Sequence, residues 1–102
     1  MNRTELLAQF ERYDAITRRF GGQDEASLAE ARRIVFALRG SAAGDPYVNE
    51  KLGGMLTWAE IGLSTRKFEK HGGFERVQVF AMIEAQSAQD VLLRQLGESE
   101  CR

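Results

Sequence analysis

Glycine divides this chain. Gly21-Gly22, Gly40, Gly44, Gly53-Gly54 and Gly72-Gly73 cut it into stretches of helical length, and that spacing constrains the fold more than any other feature. Between the cuts Ala, Leu, Glu, Gln and Arg dominate. Proline occurs once, at Pro46, and β-branched residues are few and scattered. The pattern predicts an all-α fold, an antiparallel four-helix bundle, with residues 1–102 forming a single domain. A chain of this length buries roughly 65% of the surface that its unfolded form exposes, enough for a core without staples.

The first helix is expected over Thr4 to Phe20, with Leu6, Phe10, Tyr13 and Phe20 on one stripe and Glu11, Arg12, Arg18 and Arg19 opposite. Asp24 or Ser27 caps a second, which reaches Arg39 and stops at Gly40. Its core stripe is Leu28, Ala31, Ile34, Val35 and Leu38. Asp45-Pro46, an acid followed by proline at the first helical position, starts a third that continues to about Lys70. Gly53-Gly54 lies inside it and costs about 2 kcal/mol of helix propensity relative to alanine. An interruption or kink is expected there, or the close approach of another backbone. The fourth helix runs from Phe74 to about Leu96.

The last two helices carry more apolar surface than one core needs. Leu52, Met55, Leu56, Ala59 and Leu63 form one stripe of the third helix, while Trp58, Ile61 and Phe68 project to another side. In the fourth, Val77, Ala81, Ala88, Val91 and Leu92 form a stripe from which Val79, Met82 and Ile83 diverge. Glu84 falls near the inward side, where an arginine partner or a place at the rim is expected. A helix surrounded by neighbours, or apolar residues exposed singly, accounts for such a pattern. So does a self-association surface at Trp58, Ile61 and Phe68, which predicts a homo-oligomer, most simply a two-fold dimer.

Chemistry-bearing constellations are sparse, and the chain reads as a non-enzyme without cofactor or metal. His71, the one histidine, stands beside Gly72-Gly73 at a helix end, where a cation favours the helix dipole. It has neither companions for a metal site nor a nucleophile to activate. Cys101 is the one cysteine, so no disulfide forms within the chain. The opening Met1 to Glu5 enters an amphipathic pattern unlike a secretory signal, and no apolar run nears the roughly 20 residues of a membrane span. A reducing cytoplasm is the expected compartment. With 14 basic and 15 acidic residues, the balance gives no reason to expect nucleic acid or an anionic membrane as partner. The basic run Arg66, Lys67, Lys70, His71 and Arg76, interleaved with Phe68 and Phe74, keeps a nucleic-acid-associated role as an alternative; Glu69 and Glu75 dilute it.

The segment Phe36-Ala37-Leu38-Arg39-Gly40-Ser41-Ala42 resembles the signature of histidine-containing phosphotransfer domains, His-x-Leu-Lys-Gly-Ser followed by a small residue. In that family the histidine stands exposed on the second core helix of a four-helix bundle and exchanges a phosphoryl group with the aspartate of a receiver domain. The resemblance covers only these residues. Arg39 keeps the lysine's charge and Gly40 keeps the clearance one turn on, but Phe36 occupies the phosphorylatable position. The resemblance therefore implies a regulator that docks a receiver domain or a sensor kinase without accepting phosphate.

Periodicity supplies a separate reading of the same residue. Phe36 points about 150° from the centre of its helix's apolar stripe, among Arg32, Arg33, Arg39 and Gly40. An outward phenyl ring among arginines suits a protein-binding anchor, and its full burial is worth about 2–3 kcal/mol. If the second helix is instead sandwiched, Phe36 packs internally. The expected function is a small non-catalytic regulatory or adaptor protein that binds another protein through Phe36, Arg32, Arg33, Arg39 and Gly40. The alternative is a structural homodimer of other role.

Overall fold

The computed structural model describes residues 1–100, and Cys101 lies outside them. Among the described residues there are four α-helices, one 3-10 helix and no strand. Asn2 opens α1 (Arg3–Thr17) with a reciprocal cap, its side chain accepting from the Glu5 N–H at 2.8 Å. Asp24 caps α2 (Glu25–Ala42), accepting from both the backbone N–H and the hydroxyl of Ser27. Those two bonds, with Arg19 nearby, hold the Asp24 carboxyl below the usual carboxylate range. Asp45 caps α3 (Pro46–Gly62) by accepting from the Val48 N–H, and also accepts from Gln95 Nε2 at 2.8 Å, which ties the start of α3 to α4 (Phe74–Glu100). No described helix is long and apolar enough to cross a membrane.

The helices form a ring. α1 packs on α2 and α4, and α3 packs on the same two, with a smaller α1–α3 contact across the middle. The core runs along the axis through Leu6, Phe10, Tyr13 and Ile16 of α1, then Ala31, Ile34, Val35 and Leu38 of α2. Val48, Leu52, Met55 and Ala59 of α3 and Val77, Ala81, Ala88 and Leu92 of α4 complete it. Across the centre, the Tyr13 hydroxyl donates to the Met55 carbonyl at 2.7 Å. No buried side-chain nitrogen or oxygen among the described residues lacks a partner.

Four helix ends differ from the sequence expectation, the last being that of α4, which runs on to Glu100 rather than to about Leu96. α2 runs through Gly40 and ends two residues later, because Ala42 is buried and the left-handed turn falls on Ala43 and Gly44. α1 ends at Thr17, though Phe20 still reaches the core. The third helix ends at Gly62 rather than near Lys70, and the 3-10 helix Lys67–His71 follows separately. At the break the Gly62 carbonyl accepts from the Gly21 N–H at 2.9 Å, and the glycine leaves the room that the Phe20 ring takes, where a Cβ would overlap it. The α1–α2 connection thus crosses the end of α3.

Gly53-Gly54 does not interrupt α3, which is continuous from Pro46 to Gly62. What comes close there is side chain. A Cβ on Gly54 would lie 2.8 Å from the Glu84 carboxyl group, whereas one on Gly53 would meet only Arg39 Nη2, at 3.8 Å. Glu84 is the inward-facing acid of α4, and its partner is a lysine, with Lys51 Nζ 3.7 Å from Oε2. Gly53→Ala is therefore expected to stabilise the protein by about 1 kcal/mol, the helix-propensity gain without a clash, read as a higher urea midpoint at unchanged slope.

Candidate functional site

The outer face of α2 is built by phase. With Ala31, Ile34, Val35, Leu38 and Ala42 turned inward, the residues between them turn out. Phe36 is 80% exposed, the most exposed of the large apolar side chains described. Sandwiching of the second helix is thereby ruled out. Arg32 and Arg33 lie one turn before Phe36 and Arg39 and Gly40 one turn after, all four exposed. A Cβ on Gly40 would meet nothing within 4 Å, so the surface beside the phenyl ring is open.

The charge here is one-sided. From Ala31 to Gly44 the sequence holds three arginines and no acid. Glu30, the nearest acid before them, faces Arg12 of α1 at 3.9 Å. Among the described residues none of Arg32, Arg33 and Arg39 stands in an ion pair. The Arg39 guanidinium leans toward Gly53 of α3 and so widens the patch across the α2–α3 seam. An apolar ring amid unpaired guanidiniums is matched by a concave apolar spot rimmed with carboxylates.

Trp58, Ile61 and Phe68, expected to project together as a self-association face, pack largely within the chain. Phe68 is only 9% exposed, because the 3-10 helix turns it back into the core, where its ring meets Phe74 edge-on at 5.9 Å. Trp58 lies 5.0 Å from the Phe80 ring and 5.2 Å from His71, and Ile61 packs against the core. The second apolar face of α3 is spent inside the monomer, as for a helix with neighbours on both sides. On α4 the outcome is the reverse: Val79, Met82 and Ile83 stay exposed.

The basic run is similarly divided. Arg66 pairs with Glu69 at 3.1 Å, the Arg76 guanidinium sits 5.7 Å from the Phe80 ring centre, and Phe68 is withdrawn from any stacking role. Among the described residues no three His, Cys, Asp or Glu side chains converge as metal ligands would. Protein-family models, curated proteins and solved structures all return no match to the chain. The site therefore stands on its own geometry. The bond from Tyr13 to Met55, the phenyl contact at Gly62 and the glycine seat of Glu84 escape sequence reasoning, because each depends on which helices become neighbours.

Proposed function

We propose that this chain is a small non-catalytic regulatory protein of the cytoplasm that binds an acidic protein surface through Phe36, Arg32, Arg33 and Arg39. The observation that carries the reading is Phe36, 80% exposed on a helix whose stretch from Ala31 to Gly44 holds three arginines and no acid. An exposed aromatic gains energy on burial that no intramolecular contact provides, and unpaired guanidiniums favour carboxylates. The short likeness to phosphotransfer signatures directs the choice of partner. In that likeness Phe36 takes the position of the phosphorylatable histidine, and here it lies on the second of four helices. A receiver domain, whose phosphoacceptor is an aspartate, or the sensor kinase that feeds it, fits both the charge and the position. A phenyl ring takes no phosphoryl group, so docking here blocks or scaffolds transfer.

The test is titration of the protein against purified receiver domains and sensor-kinase transmitter domains from the same cell. Binding that weakens with salt is expected, with Phe36→Arg losing at least about tenfold in affinity, or about 1.4 kcal/mol. Melting of the variant stays within about 0.5 kcal/mol of the parent, since the ring touches little. An affinity indifferent to Phe36→Arg, or no binding to any of these domains at low salt, excludes the reading.

A further inference from the structure

The outer face of α4 is uncharged in its middle, flanked by Arg76 and Asp90, with Glu75 and Arg94 exposed beyond them. Between Val77 and Gln89 the only ionisable residue is Glu84, and it turns inward to Lys51 and Gly54. Outward stand Val79, Met82 and Ile83, exposed by 52%, 45% and 55%, and Gln86 beside them. In a chain that is 28% charged, this strip is the largest apolar exposure on one helix face. At Met82 it borders a groove of about 480 Å³ between α1 and α4, lined by Leu7, Phe10 and Ala15 and by the charged Glu11, Asp14 and Arg18.

Arg76 and Asp90 bound the strip, each seven residues from Ile83. Residues spaced by seven share a helix face, so Arg76, Ile83 and Asp90 align, with Val79 and Gln86 interleaved. Arg76 rests over the Phe80 ring and Asp90 accepts from Gln86 Nε2 at 2.8 Å; among the described residues neither is in an ion pair. Such a face is complementary to itself when reversed. Two copies of α4 packed antiparallel about Ile83 bring Arg76 beside Asp90 of the partner subunit, and by symmetry do so twice. A parallel arrangement would set like charges together at both ends.

We infer that the protein forms a two-fold homodimer through α4, Ile83 lying at the axis and Arg76 pairing with Asp90 of the partner subunit. Charge complementarity selects a second copy over other occupants of an uncharged strip. α2 lies across the ring from α4, so the dimer leaves two Phe36 patches free on its outer sides. The inference does not depend on what those patches bind.

The experiment is sedimentation equilibrium of the full chain and four variants, with circular dichroism to confirm folding. Wild type is expected at twice the 11.5 kDa monomer mass, and Ile83→Glu at the monomer mass. Arg76→Asp and Asp90→Arg each set two like-charge pairs against each other and weaken the dimer at least about tenfold. The double variant Arg76→Asp/Asp90→Arg restores both pairs in reverse and returns to within about threefold of wild type. All of these side chains are exposed or at the surface, so loss of folding is not the expected cause of any change. A wild type that stays monomeric to about 100 μM overturns the inference, being weaker than any specific dimer of this kind needs. A dimer indifferent to Ile83→Glu, or one that the double reversal does not rescue, overturns it as well.

Discussion

Gly62→Ala is expected to destabilise the protein by about 3 kcal/mol, the upper end of what overpacking costs, and to lower Tm by about 15 °C. The added methyl group would overlap the Phe20 ring. Neither side yields easily. Gly62 and Phe20 are both buried, and the hydrogen bond from the Gly21 N–H to the Gly62 carbonyl at 2.9 Å holds the two segments in register. Relief requires the ring to leave the core or the α1–α2 connection to lift from the end of α3. Gly53→Ala, the same substitution nine residues earlier in the same helix, is the control, because its Cβ falls in open contact range. The pair is expected to have opposite signs in a urea melt. Equal signs would mean that Phe20 does not cross α3 where the structure puts it.

That glycine shows where reading the sequence stops. Segment boundaries set by local chemistry were legible: Asp45-Pro46 caps and opens α3, and Asp24 caps α2. Phe36 was legible too, since helical phase alone turns it away from Ala31, Ile34, Val35 and Leu38. Gly40 misled because glycine is a common helix stop, and burial of Ala42 outweighs that preference by drawing the helix on. Gly62 was hidden inside an apolar run that continues through Leu63, and its reason is the Phe20 ring of another segment. The same long-range packing turned Phe68 inward and covered Trp58 with Phe80 and His71. Periodicity states the direction of a side chain from its own axis. It does not state whether a neighbour stands there, which is why one surplus face, on α3, closed and the other, on α4, remained open.

Tyr13→Phe and wild type are expected to exchange their order of stability between neutral and alkaline pH. The Tyr13 side chain is 1% exposed, and its hydroxyl donates to the Met55 carbonyl at 2.7 Å. At neutral pH the variant loses that bond and about 1 kcal/mol. Burial, with Glu84 nearby as a smaller influence, raises the phenol's pKa well above the ordinary value. The folded chain therefore keeps the proton where the unfolded chain has lost it. Stability from this group is complete below about pH 10 and falls as the pH rises further, by about 1.4 kcal/mol per unit. At about pH 12 the wild type has forfeited about 3 kcal/mol on this account and the variant none, which reverses the neutral difference by about 2 kcal/mol. The two proteins differ only at position 13, so the difference between their urea midpoints isolates Tyr13. A difference that stays constant through this range would mean that the phenol ionises in place, with water reaching the contact between α1 and α3.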